Sequence, residues 1–104
     1  MAPMARTPLT LLALAICAVP VETRAQFDAQ QKQAQCELRH IGDTRSQLAI
    51  SWISTACNRI AIDGGFLDES NRRYYGCLLQ SLPGAQSDAA ANAIISACRT
   101  SYPP

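Results

Sequence analysis

The chain has 104 residues, 48% of them apolar and 16% charged, with nine Lys+Arg against eight Asp+Glu, a single His and five Cys. That length holds one small domain, and a formal charge of +1 excludes the basic face with which proteins displace counterions from nucleic acids. The composition gives no polyanionic tail either.

Met1 to Pro8 carries one charge, Arg6, and is followed by an apolar run from Leu9 to Val19, then Pro20 and a more polar stretch ending at Ala25. This order is that of a cleaved signal peptide spanning 1–25. Thr23-Arg24-Ala25 supplies the cleavage site, with Ala18 as a competing position. The apolar run is far shorter than the roughly 20 residues a bilayer-spanning helix needs, so the mature chain, 26–104, is expected to carry no transmembrane segment. Cys17 invites a lipoprotein reading, but Ile16 stands where a lipobox requires Gly, Ala or Ser, and acylation is not expected.

Removing the leader takes away Arg6, Arg24 and Glu22, which leaves seven basic against seven acidic side chains and a neutral domain. It also removes Cys17, so the cysteines become an even four: Cys36, Cys57, Cys77 and Cys98. Four cysteines in a short exported chain predict two disulfides, because the compartment is oxidising and a small core benefits from covalent staples. A zinc site closed by these cysteines with His40 is the competing reading. Structural zinc ligands come in close pairs, whereas 20, 19 and 20 residues separate these cysteines. No Cys-x-x-Cys redox motif occurs, and neither a metal nor a cofactor is expected.

Each cysteine lies several residues before a helix-breaking sequence: Gly42-Asp43, Asp63-Gly64-Gly65, Pro83-Gly84 and Pro103-Pro104. The segments between are rich in good helix formers. They predict helices from about Asp28 to Ile41, Gln47 to Ile60, Glu69 to Leu82 and Asp88 to Thr100, with polar Gln30 to Gln35 fraying the first. Phe27, Ala34, Leu38 and Ile41 share one face of that first helix, yet Cys36 points away from it. The helix is therefore either contacted on two sides or begins only near Cys36.

Laying Cys36–Cys57 over Cys77–Cys98, an offset of 41, gives identity at seven of 22 positions. The second helix presents an apolar stripe of Ala49, Ile53, Ala56 and Ile60 flanked by Trp52 and Cys57. The fourth is expected to present Ala90, Ile94, Ala97 and Ser101, flanked by Ala93 and Cys98. Ser46 and Ser87 precede the two stripes as helix caps. The fold class predicted is all-α, with four short helices forming two disulfide-stapled hairpins related by an internal repeat.

Four cysteines permit three pairings. A repeated unit carrying its own bridge favours Cys36–Cys57 with Cys77–Cys98. Against it, a tight turn at Gly42 would leave Cys57 several ångströms further along its helix than Cys36 at 1.5 Å rise per residue, and bridged Cα atoms must approach to about 4.4 to 6.8 Å. The mismatch closes if the connection from Gly42 to Ser46 runs onward before turning back, and the pairing within each unit is expected, with a nested arrangement, Cys57–Cys77 with Cys36–Cys98, which needs less adjustment, as the alternative. The Cys-x20-Cys unit around Gly42-Asp43-Thr44-Arg45 resembles small periplasmic repeat proteins induced by phosphate starvation. The turn is displaced, and Pro83-Gly84 departs from Gly-Asp in the second unit, so no family is assigned. Twin Cys-x9-Cys hairpins and plant lipid-transfer proteins differ in their cysteine spacing.

Few residues in the chain have the makings of a catalytic group. His40, flanked by Glu37 and Asp43, has the elements of a carboxylate-oriented base, which keeps a small secreted hydrolase as the third reading. No nucleophile motif accompanies it. Asp68 and Glu69 are expected in the first turn of the third helix, and Asp63-Gly64-Gly65 lacks the alternating oxygens of a calcium loop. Trp52, Phe66, Arg72, Arg73, Tyr74 and Tyr75 are the candidate partner contacts, since Tyr, Trp and Arg concentrate at binding hot spots.

The sequence thus predicts a non-enzymatic exported protein, periplasmic or extracellular, that binds another envelope or extracellular protein and no nucleic acid. The alternative is a carrier of small apolar ligands in a cavity lined by Trp52, Ile53, Leu79 and Ile94.

Overall fold

The computed structural model describes residues 21–104. Most of the predicted leader, residues 1–20, lies outside this range. Four α-helices follow in order: α1 (Val21–His40), α2 (Gln47–Asp63), α3 (Glu69–Ser81) and α4 (Asp88–Ser101), with a 3-10 turn at Leu82–Gly84 between the last two. No strand occurs among the described residues. The polar stretch Gln30 to Gln35 lies inside α1 without interrupting it, and the helix runs back across the predicted cleavage point at Ala25.

Each of the last three helices starts on a side-chain cap. Ser46 accepts from Ala49 N, Asp68 from Asn71 N and Ser87 from Ala90 N, each taking one of the amide donors that a helix start leaves unpaired. The helix ends depart from expectation. No residue among those described has positive φ, so the glycines at the breaks do not act as left-handed exits. Gly64 instead continues helical dihedrals at the end of α2, where an added Cβ would collide with the Ile60 carbonyl oxygen. Pro83 sits inside the 3-10 turn that ends the third helical segment.

The disulfides are Cys36–Cys57 and Cys77–Cys98, with Cα separations of 5.6 and 5.7 Å. Each therefore staples one antiparallel helix pair, and the nested pairing is not formed. The apparent length mismatch in the first pair closes because the chain, after turning at Gly42–Asp43, runs on through Thr44, Arg45 and Ser46 before α2 begins. Ile41 to Ser46 runs on as a non-helical connection, and at about 3.3 Å per extended residue it carries α2 back far enough to bring Cys57 opposite Cys36.

The core is built from α2 onward. Ile53, Leu78 and Leu82 are fully buried, with Ala49, Ala56, Cys57, Tyr74, Leu79, Ala85, Ala91, Ile95 and Cys98 around them. No α1 residue among those whose burial is described, 24–40, belongs to this set; Cys36, and Ile41 just past its end, pack against its edge. The α4 face is a correction. It buries Ala91, Ile95 and Cys98, while Ala97 and Ser101 are exposed and Ala90 and Ile94 half-buried. One residue of phase is about 100° of rotation, so α4 meets its neighbours from a different side than the offset of 41 implies. Helix α2 packs against α1, α3, the 3-10 turn and α4 and buries Ala49, Ile53 and Ala56 of its predicted stripe together with Cys57, with Ile60 half-buried at the edge.

Tyr74 is 3% exposed, and its hydroxyl is buried without a hydrogen-bond partner. A buried polar group without a partner costs about 1–3 kcal/mol. Replacing Tyr74 with Phe is therefore expected to leave the thermal midpoint unchanged or raise it, as read by circular dichroism; a marked drop would show that the hydroxyl is satisfied in solution.

Candidate functional site

Two features of the fold carry chemistry beyond packing: the α1–α2 seam and the junction between the two hairpins. At the junction Ser46 caps α2 and its hydroxyl donates to Asp88 Oδ1 at 2.6 Å. The same oxygen accepts from Leu48 N at 3.2 Å, so the first residue of α4 helps to cap α2. Thr44 Oγ1 donates to Ala85 O at 2.6 Å, and Arg45 N reaches the same carbonyl at 3.3 Å. These bonds tie the loop of one hairpin to the loop of the other.

The Ser46 hydroxyl bond first, and the Leu48 amide second, lower the Asp88 pKa below the ordinary carboxylate range; the Asn71 amide does the same for Asp68. A lowered folded-state pKa stabilises the protein above the unfolded value, about 3.9 for Asp, and this contribution is lost as pH falls through the folded value. Wild type is accordingly expected to lose stability on acidification in that range. Asp88→Asn should lose less between pH 6 and pH 3 in parallel urea titrations, and equal slopes would contradict the role given to Asp88.

The α1–α2 seam is polar except for its disulfide. Asn58 Nδ2 donates to Gln33 Oε1 at 2.9 Å, and Ser54 Oγ donates to Glu37 Oε1 at 2.9 Å. His40 Nδ1 lies 2.8 Å from the Cys36 carbonyl oxygen and 3.7 Å from Cys36 Sγ. Because a carbonyl only accepts, the ring donates here from Nδ1. Glu37 is engaged by Ser54 and Gln33, so the hydrogen bond orienting His40 comes from Cys36 and not from the carboxylate that the hydrolase reading uses.

The six predicted contact residues are not gathered into one surface. Phe66 is 94% exposed on the α2–α3 loop, whereas Tyr74 is buried and Tyr75 half-buried with its ring tilted against Tyr74 at 5.2 Å. Tyr74 therefore belongs to the core, because it occupies the α3 face turned toward the other buried residues. Arg72 donates to the Gly64 and Leu67 carbonyls and so closes the loop, while Arg73 pairs with Glu69 at 3.1 Å. Trp52 is half-buried against the core. The carrier's four residues also join this core: Ile53 and Leu79 are buried and Trp52 and Ile94 pack on its edge.

A different apolar surface stands out, on α1. Leu38 is 84% and Phe27 66% exposed, and a shallow depression of about 560 Å³ is lined by Ala34, Glu37, Leu38, Ile41 and Gly42. The sequence displayed this face through the spacing of Phe27, Ala34, Leu38 and Ile41. The convergence of Cys36, His40 and Cys57 was also legible in part, since Cys36 and His40 are four apart on one helix and the pairing within each unit puts Cys57 beside Cys36.

Helix pairs each closed by one disulfide, with four bridged cysteines, define a four-cysteine helical domain. The chain belongs to the family described as four-cysteine protein VF_A0006-like, whose model matches residues 13–102. Among curated proteins and among solved structures, none matches it. The disulfides suit an oxidising environment outside the cytosol, and no helix among the described residues is long and apolar enough to cross a membrane.

Proposed function

We infer that this is a small exported, non-enzymatic helical protein of the periplasm or extracellular space, which binds another protein through the outer face of α1. The observation that supports this reading is the exposure of Leu38 and Phe27, on a helix that contributes no side chain to the buried core. Helices in small domains ordinarily turn their apolar stripe inward. Here the cysteine side of α1 faces α2 and the apolar stripe faces outward, where Leu38, Ala34 and Ile41 border the depression. An amphipathic segment of a protein partner, laid into this groove, would cover them.

A photo-crosslinking side chain placed at position 38 in the native envelope tests it. A discrete protein adduct is expected at Leu38, abolished by Ala34→Glu and not formed from exposed Ser96 on α4. Absence of an adduct, or the same adducts from both positions, would refute the reading.

A further inference from the structure

The Cys36–Cys57 bridge has a neighbour of a kind that no other site provides. The sulfurs of Cys36 and Cys57 and a ring nitrogen of His40 all lie within 4.8 Å of one another, and no second group of three His, Cys, Asp or Glu side chains converges in this way among the described residues. Cys36 and His40 are one turn apart on α1, and the disulfide brings Cys57 of α2 alongside.

We propose that these three residues form a two-thiolate, one-imidazole site for a zinc-like divalent cation, closed while the disulfide is intact and opened by its reduction. The distances support this independently of the docking surface. With Zn–S near 2.3 Å and Zn–N near 2.0–2.1 Å, tetrahedral coordination sets a sulfur-to-nitrogen edge of about 3.6 Å and a sulfur-to-sulfur edge of about 3.8 Å. Cys36 Sγ and His40 Nδ1 already stand 3.7 Å apart. The sulfurs, once unbonded, must move apart to the second spacing, which side-chain rotation supplies. His40 must also give up its bond to the Cys36 carbonyl, its proton passing to Nε2 so that Nδ1 presents a lone pair.

Charge and access fit the same ion. Two thiolates and a neutral imidazole make a complex with a divalent cation that has no net charge, suited to a place where Cys57 is fully buried and Cys36 half-buried. Both cysteines line a depression of about 300 Å³ that also meets Lys32, Ile60 and Gly64. The opening leaves a fourth position for water, as in zinc sites with three protein ligands.

The chemistry balances with a dithiol as reductant. Two electrons and two protons pass to the Cys36–Cys57 bridge, giving two thiols, while the dithiol becomes a disulfide. Binding of the cation then releases both thiol protons.

The test uses the full chain, reduced without oxygen by a phosphine that does not chelate, and titrated with Co²⁺ and then Zn²⁺. The absorption of tetrahedral thiolate-bound cobalt reports the site, and circular dichroism reports helicity. One cobalt per reduced chain is expected, displaced by zinc, with none on the oxidised chain. Binding should survive in Cys77→Ser/Cys98→Ser and vanish in Cys36→Ser/Cys57→Ser. His40→Ala should weaken it roughly tenfold or more, because even outer-sphere partners of a metal are worth about 10–100-fold. If reduction lowers helicity, zinc is expected to restore it in wild type and not in Cys36→Ser/Cys57→Ser. The proposal is overturned if the reduced chain binds no more metal than the oxidised one, if His40→Ala binds as tightly as wild type, if binding follows Cys77 and Cys98, or if zinc leaves lost helicity unrestored.

Discussion

Truncating Ile53 to alanine is expected to cost about 2–5 kcal/mol, the range for removing a large aliphatic side chain from a packed interior. Ile53 is fully exposed to neighbours and not to water, at 0% accessibility in the middle of α2. This helix packs against α1, α3, the 3-10 turn and α4, so a cavity there is felt by every element. Small domains have total stabilities of about 5–15 kcal/mol, and each kcal/mol moves the midpoint of a domain this size by roughly 4–8 °C. The variant should therefore melt far below wild type. Leu38→Ala, at 84% exposure, serves as the contrast and should stay within about 0.5 kcal/mol. Urea denaturation of the two variants beside wild type checks both; a large loss at Leu38 would show that α1 buries its outer face within the monomer.

Removing the two disulfides in turn should give unequal results although their loops are equal. Each bridge spans 21 positions, for which the chain-entropy estimate is about 3 kcal/mol in either case. The native contexts differ. Both double variants open a small defect at a buried cysteine, Cys98 at 1% exposure or Cys57 at 0%, but Cys77→Ala/Cys98→Ala also unties two helices that both carry core residues, Tyr74, Leu78 and Leu79 on α3 and Ala91 and Ile95 on α4. Global stability should then fall by more than about 3 kcal/mol. Cys36→Ala/Cys57→Ala instead removes the covalent tie of a helix that has no buried residue of its own and is otherwise held by the Gln33–Asn58 and Glu37–Ser54 bonds. The expected result is local: α1 loses amide-exchange protection while α3 and α4 keep theirs. Hydrogen exchange with peptide resolution distinguishes the two, and equal protection across all helices in both variants would contradict this division.

The sequence was informative where a local rule decides the outcome. Ser46 and Ser87 are caps because a hydroxyl just before an apolar stripe has one obvious amide to satisfy, and both act as expected. The helix centres follow from composition and punctuation. The pairing of cysteines was less legible, since rise per residue argued against the bridge that forms; the answer lay in the path of Ile41 to Ser46, which hydrogen bonds to the other hairpin's loop. The α4 face failed for a related reason. An offset that aligns Cys57 with Cys98 says nothing of the direction from which each helix meets its neighbours: α2 packs against α1 as well as α3, α4 and the 3-10 turn, whereas α4 packs mainly against α2, α3 and that turn.

Surface chemistry was legible only as candidates. Phe66 is exposed, but the Arg72, Arg73, Tyr74 and Tyr75 cluster divides into a loop closure, an ion pair and a core tyrosine with its half-buried neighbour. Adjacent positions on a helix point about 100° apart, so a run of four interesting residues seldom makes one patch. The unresolved conflict between Cys36 and the Phe27, Ala34, Leu38 and Ile41 face was the better signal. The structure turns the first side toward α2 and leaves Phe27, Ala34 and Leu38 of the second exposed, with Ile41 half-buried at the core edge.

The claim on which the rest depends is that each hairpin carries its own bridge, and tryptic mapping under non-reducing conditions tests it directly. Cleavage after Lys and Arg places Cys36 in the peptide 33–39, Cys57 in 46–59, and both Cys77 and Cys98 in 74–99. The expected digest contains the first two peptides joined to each other and the third alone, lighter by the hydrogens of its two thiols. Either alternative pairing would join all three peptides into one species, and finding that species would contradict the account.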